Sequence, residues 1–274
     1  MEIIEKSIFK TIQQRLTLNK RQKIVAASLI VTIGLMYTQN VPIFVRTKFI
    51  MWLGALSLIM SLWALWEGMN RVKAFTLLLL PALFTLGVSS FYFLLPIRWL
   101  TRVPVDIIFG LMFYFLLLSQ NVLNVAAART IPLYRAASTA AFIFSITTSV
   151  LLFHILHAFS LEFYWNGLAS LMISFLLSVP MLWSVEMENL SLKILMYSLV
   201  TSVLIGELAM ALSFWPVPSN SLMWAIFLAS SLFILLGINL DFLRERLSRR
   251  EGWLYISFGI MTLLVMLVTT SWTG

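Results

Sequence analysis

Glu207 is the residue from which chemistry would start. It sits inside the apolar run Ile194–Phe214, about six residues from the far end, roughly 9 Å in at the helical rise per residue. An ionisable group at hydrocarbon depth costs roughly 2.5–3.5 kcal/mol on insertion scales, so such residues mark proton or ion paths or pair with a neighbour. Two readings follow: a proton or cation site, or a structural partner to a nearby polar group. The same run carries Ser198, Ser202, Gly206, Ala209 and Ser213, which gather on one face at helical spacing. Small residues let a neighbouring helix approach closely. Glu207 points about 140° away from that stripe. Both faces are therefore expected to look at protein, which places this helix inside the bundle.

Partners for Glu207 are available on the same side. Arg98 and Arg102 are four apart at one helix end, and Asp106 follows four later, with Pro104 expected to break the helix between them. His154 and His157, at i and i+3, end another span, and Glu162 comes just after. If these ends converge, an outward-facing pocket with both signs of charge forms. Two histidines and a carboxylate could bind a metal, but the spacing matches no ligand signature, and helix-end histidines serve as interfacial polar residues. On the opposite side, Gln120, Asn121 and Asn124 end a span, and Arg129 and Arg135 occupy the connection after it. Asn121 and Asn124 share a face and could bond across helices; the arginines could hold a lipid phosphate or simply lie in an ordinary basic loop.

Other chemistries are excluded. There is no cysteine, hence no disulfide, thiolate metal site or cysteine nucleophile. Nucleophile elbows, zinc-protease helices, phosphate loops and dinucleotide fingerprints are absent, and only two aspartates are present, Asp106 and Asp241. No cofactor is expected.

These residues must be positioned by membrane helices. Of 274 residues, 61% are hydrophobic and 11% charged, against about 45–50% and about 25% in soluble domains. Nine segments approach the ~20 residues a helix needs to cross hydrocarbon: Ile24–Val45, Phe49–Trp66, Ala74–Leu95, Val105–Leu123, Ala137–His157, Leu168–Val185, Ile194–Phe214, Leu222–Leu240 and Trp253–Thr270. The fold expected is an all-α, polytopic transmembrane bundle in one domain (24–274), preceded by a basic amphipathic tail (1–23). Fifteen of the nineteen Lys and Arg fall on one side of this arrangement. The positive-inside rule then sets the N-terminus in the cytoplasm and the C-terminus outside. The net charge of +8 thus reports orientation and contact with anionic headgroups. No basic run interleaves with aromatics on a soluble stretch, so nucleic acid is not an expected partner.

The third span ends in Ser90-Phe91-Tyr92 and then Pro96; the seventh ends in Ser213-Phe214-Trp215 and then Pro216. Four helices separate them, as a parallel duplication requires, although aromatics and prolines also recur at membrane interfaces. The stretch Asn121-Val-Leu-Asn-Val-Ala-Ala-Ala-Arg-Thr-Ile-Pro-Leu, followed by Arg135-Ala-Ala, resembles one in an uncharacterised family of bacterial multi-pass membrane proteins, as does Gly206-Glu-Leu-Ala-Met-Ala-Leu-Ser-Phe-Trp-Pro. The resemblance implies a bacterial inner or cell membrane and supplies no activity. The scarcity of intramembrane charge and the short loops favour a non-catalytic membrane component that scaffolds, partners another membrane protein or handles lipid. The alternatives are a small transporter using Glu207 in an outward-facing pocket, and a lipid-modifying enzyme.

Overall fold

Backbone amides in hydrocarbon have no water to bond, so an apolar chain closes its hydrogen bonds within helices. A computed structural model of the chain describes residues 19–38, 41–95, 99–126, 133–187, 189–216 and 222–270; among these are nine α-helices and no strand. They are α1 Lys20–Tyr37, α2 Ile43–Leu65, α3 Arg71–Tyr92, α4 Trp99–Ala126, α5 Tyr134–Ala158, α6 Phe163–Glu186, α7 Leu192–Leu212, α8 Met223–Leu243 and α9 Arg249–Thr269. The eight from α2 to α9 are long and apolar enough to cross a membrane. The chain is a multi-pass helical membrane protein. α1 is shorter, at 18 residues, and opens on Lys20, Arg21 and Lys23. Of the basic tail, residues 1–18 lie outside the described residues, and the last four belong to α1.

Two expectations are corrected. The first helix does not reach Val45: it ends at Tyr37, where the Thr38 hydroxyl bonds to the Leu35 carbonyl at 2.6 Å. Pro42 has no N–H to continue a helix and instead caps the start of α2, so Ile43–Val45 belong to the second helix. Pro104 does not break α4 either. It is the sixth residue of that helix, so its ring disturbs only the opening turn. Arg102 and Asp106 consequently share one helix face at i and i+4.

Side-chain contacts pin the helix ends into two levels. At one, Lys23 pairs with Glu67 at 3.3 Å, Tyr134 donates to the Ser184 carbonyl at 2.7 Å, and Arg244 donates to Ser138 at 2.7 Å. At the other, Arg46 lies over Phe93, Asn166 donates to Ser213, and His157 stacks on Trp224. The first level, with most of the Lys and Arg, is the basic end; the second is the far end.

The packing pairs resolve into two layers: α2, α3, α6 and α7 side by side in one, and α1, α4, α5, α8 and α9 in the other. Within α1–α4 the packed pairs are α1/α2, α2/α3, α1/α4, α3/α4 and α2/α4. The same five recur, each helix shifted by four, within α5–α8. The fold is a four-helix unit used twice, side by side.

The residues agree. In α2, Trp52, Gly54, Ser57, Leu58 and Ser61 have the spacing of Trp165, Gly167, Ser170, Leu171 and Ser174 in α6. In both helices the two serines are buried. Both glycines sit where the next helix comes closest: a Cβ on Gly54 would meet Leu86 at 2.7 Å, and one on Gly167 would meet the Gly206 carbonyl at 3.1 Å. Buried Ala27, Ser28, Val31, Leu35 and Thr38 correspond likewise to buried Ala137, Ser138, Ala141, Ser145 and Thr148. α9 begins a third unit. Its start, Ser248-Arg-Arg-Glu251, repeats the pattern of Asn19-Lys-Arg-Gln22 before α1, and in each the fourth side chain accepts from the first backbone N–H, at 2.9 and 2.8 Å.

The α6–α7 crossing makes a direct prediction. A Cβ on Gly206 would stand 3.0 Å from the Leu171 Cβ and 3.1 Å from the Gly167 carbonyl, neither able to swing away. Gly206→Ala should cost about 1–3 kcal/mol by overpacking. Gly252→Ala, where nothing lies within 4 Å, should be neutral or gain up to about 1 kcal/mol in helix propensity. Thermal unfolding in detergent, followed by circular dichroism, compares the two; equal midpoints would contradict the close approach.

Candidate functional site

The clearest assembly of functional groups is at the basic end, where the start of α5 meets the end of α8. Helix α8 closes in a Schellman motif: the Glu245 N–H bonds to Phe242, the Arg246 N–H bonds to Asp241 at 2.8 Å, and Glu245 takes a left-handed φ of 56°. That turn folds Arg246 back beside Arg244. One turn into α5, Arg135 and Ser138 approach from the other side. Together with Tyr134, Thr139 and Val185 these residues line a cleft of about 340 Å³. Arg244 is half-buried and held by its bond to Ser138; Arg135 and Arg246 are exposed at the mouth. The lining contains three guanidinium groups and three hydroxyls, and no carboxylate. Asp241 lines an adjoining hollow and accepts from Tyr255 at 2.7 Å. Arginines and hydroxyl donors around an open cleft can hold an anion with distributed oxygens, such as a phosphate diester. Of the two arginines the sequence singles out on this side, Arg135 joins the cleft and Arg129 lies outside the described residues. Sequence reasoning misses Arg244 and Arg246. The readable signal is the Arg244-Glu-Arg246 run that closes α8, but nothing local says that it faces α5.

Asn124 does bond across helices, as its position at the end of α4 suggests. Its amide donates to the Leu65 and Glu67 carbonyls at 3.2 and 3.0 Å, supplying donors to the otherwise open end of α2. Its own carbonyl accepts from the buried Lys73 ammonium at 3.2 Å, which also reaches Gly68 at 3.4 Å. Glu67 lies just beyond, paired with Lys20 and Lys23. Gln120 is buried beside this node, and Asn121 is half-buried one turn before Asn124. Asn124, Lys73 and Glu67, with Lys20 and Lys23, tie α1, α2, α3 and α4 together.

At the far end the expected pocket does not assemble. Arg98 lies outside the described residues. Arg102 and Asp106 are buried together against Tyr92, whose hydroxyl donates to Asp106 at 3.4 Å and whose ring lies 5.0 Å beneath the Arg102 guanidinium. His154 packs instead against Phe91 at 5.8 Å, on another face of α3, and His157 stacks on Trp224 at 5.0 Å. Among the described residues, no three His, Asp or Glu side chains gather as metal ligands.

Glu207 joins none of them. The small-residue face of α7 is buried against α6 as its pattern implies, but Glu207 is exposed on the opposite face. Among the described helices, α7 packs mainly on α6 and α8, so it stands at the edge of the bundle rather than inside it.

The polar node at the end of α4 can be tested. Asn124→Ala would strip the donors from the Leu65 and Glu67 carbonyls and should cost about 1–3 kcal/mol. Asn121→Ala should cost little. Unfolding midpoints of the two variants measure the difference.

Compared with known proteins, the chain matches no family model, no curated protein and no solved structure.

Proposed function

We propose that the chain is a non-catalytic component of a bacterial inner membrane that holds an anionic lipid headgroup at its basic end, with the N-terminus in the cytoplasm. The observation that carries this reading is the convergence of Arg135, Arg244 and Arg246 with Ser138 and Thr139 on one cleft, with no acid among the described residues that line it. A lipid phosphate satisfies that chemistry, and a basic cleft at a membrane-protein surface lies in the headgroup layer where such phosphates are concentrated. Arg244, fixed by Ser138, presents its guanidinium in a set position, which lowers the ordering cost of the contact. The two mouth arginines supply attraction and adjust to the headgroup. Nothing in the cleft suits bond-breaking: no histidine or carboxylate stands where a general base would.

Lipid exchange tests the reading. Purified protein in nanodiscs should retain phosphatidylglycerol over phosphatidylcholine in native mass spectrometry. Arg135→Ala combined with Arg244→Ala should reduce that preference about thirtyfold, at about 1 kcal/mol per arginine near the surface. Arg249→Ala with Arg250→Ala, which removes two basic residues outside the cleft lining, should change it less. Equal loss in the two pairs would leave only general charge attraction.

Orientation is tested separately. The chain has no cysteine, so single cysteines report cleanly. Phe159→Cys at the far end should react with a membrane-impermeant maleimide in intact cells, and Leu133→Cys at the basic end should not. The reverse labelling would invert the assignment.

A further inference from the structure

The second unit leaves one edge of its layer open, and that edge carries the carboxylate. In the first unit, α3 is covered on all sides, by α2, α4, α5 and α6. Its counterpart α7 is covered only by α6 and α8. Helix α9 stands beside α8 as α5 stands beside α4 but does not pack along α7; the two meet near the far end, where the Trp215 indole donates to Thr270 at 2.8 Å. Among the described residues, the place that α6 fills against α3 and α5 has no counterpart against α7 and α9.

The residues bordering that place are those of an interface. Met196, Val200, Leu204, Glu207 and Ala211 recur every three or four residues of α7 and are all exposed. Only 6% of the apolar stretch of α9 is buried. Counting from Ser90-Phe91-Tyr92 and Ser213-Phe214-Trp215, the position of Glu207 corresponds to Phe84 in the first unit. Phe84 is 1% exposed and packs on Phe109 of α4 and Phe144 of α5, with ring centroids 5.8 and 5.7 Å away. A position sealed by aromatic packing in one unit holds a carboxylate in the other. Glu207 lies five residues before the end of α7, about 8 Å inside the bundle's far end. It makes no hydrogen bond or ion pair with any described residue.

We propose that the edge between α7 and α9 is a docking slot for one transmembrane helix of another protein, carrying a lysine or arginine level with Glu207. A carboxylate facing hydrocarbon is costly, and an opposite charge at the same depth removes that cost as it forms the contact. The charge selects a partner; the apolar stripe supplies the packed area. A second copy that continues the layers does not fit the slot, because its α1 would come into the place that α9 already fills.

Two synthetic helices test the proposal with the full chain in phosphatidylcholine–phosphatidylglycerol vesicles. Both are leucine–alanine transmembrane peptides bearing an acceptor dye; one has a lysine about 8 Å from its far end, the other leucine there. The donor sits on Phe214→Cys, at the far end of α7. Energy transfer should show the lysine peptide binding about tenfold tighter than the leucine peptide, within the range of polar interhelical contacts. Glu207→Gln should abolish the preference. Glu207→Lys should transfer it to a peptide with glutamate at that position, which separates lost pairing from lost folding. Equal binding of both peptides to the unaltered Glu207, or a lysine preference that survives Glu207→Gln, would overturn the proposal. So would Glu207-dependent transfer between two differently labelled copies, which would make the occupant a second copy.

Discussion

Lipid supplies no hydrophobic force between helices, since a leucine loses nothing by facing an acyl chain. Association has to come from close backbone approach and internally satisfied polar groups. In this chain that requirement is met where α6 crosses α7, with Gly206 and Gly167 facing each other so closely that a Cβ on either would meet the other's carbonyl at 3.1 Å. Two serines of α6 turn their hydroxyls onto their own helix: Ser174 bonds to the Ser170 carbonyl at 2.7 Å and Ser178 to the Ser174 carbonyl at 2.6 Å. They thus present small, spent surfaces to the neighbour. The α2–α3 crossing answers the same need by another means. Ser57 donates to the Pro81 carbonyl at 3.2 Å and accepts from Thr85 at 3.0 Å, so a proline inside α3 becomes an interhelical bond. Each crossing fixes one hairpin, and the remaining helices of each unit are arranged on it.

Charge is handled differently at the two ends. At the basic end the cations stay near water and headgroups, and the one that is buried, Lys73, is absorbed by the Asn124 and Gly68 carbonyls. At the far end two arginines lie on aromatic faces. Three consecutive residues at the end of α3 each take a different neighbour: Phe91 has the His154 ring beside it, Tyr92 has Arg102 above it, and Phe93 has Arg46 at 4.9 Å. A cation over a ring gains about 0.5–2 kcal/mol depending on desolvation. Consecutive helix residues point about 100° apart, so one short aromatic run distributes these groups among three neighbours. The same geometry keeps His154 away from Asp106 and leaves the far end without a shared pocket.

The helices themselves are legible in the sequence, because hydrocarbon forces apolar segments of set length and alternate loops carry the charge. The small face of α7 is also readable, since period and residue size are local properties. What fails is the step from face to neighbour. Placing Glu207 against protein assumes that a helix with two distinctive faces has two helical neighbours there; α7 has its partners, α6 and α8, elsewhere. Expecting a break at Pro104 applies a rule that holds in helix interiors, whereas six residues from a helix start only an opening turn is at stake. The basic cleft is invisible for a third reason. Arg135 and Arg244 are 109 positions apart, and only the packing of α5 on α8 brings them together. The duplication is the opposite case. The Trp-x-Gly-x-x-Ser-Leu-x-x-Ser pattern shared by α2 and α6 is written in the residues themselves and is a stronger sign of it than the aromatic–proline ends of the third and seventh spans.

The duplication also explains why the basic cleft lies where it does. Aligning the buried stripes of α1 and α5 sets Val25, Ser28 and Leu29 against Arg135, Ser138 and Thr139. The first three line a groove of about 420 Å³ between α1 and α4 whose walls are almost wholly apolar. The second three line the arginine cleft between α5 and α8. One structural place therefore exists twice: in the first unit its walls are apolar, and in the second, through Val→Arg and Leu→Thr differences beside an unchanged serine, they are basic. Phe84 and Glu207 stand in the same relation on the other layer. Both differences add charge to the second unit at positions that are apolar in the first, while Gly54, Ser57 and Ser61 of α2 recur as Gly167, Ser170 and Ser174 of α6. A unit whose fold rests on small residues at a crossing can exchange the side chains around its rim without losing the fold. In this protein the rim of the second unit is where the chemistry has been placed.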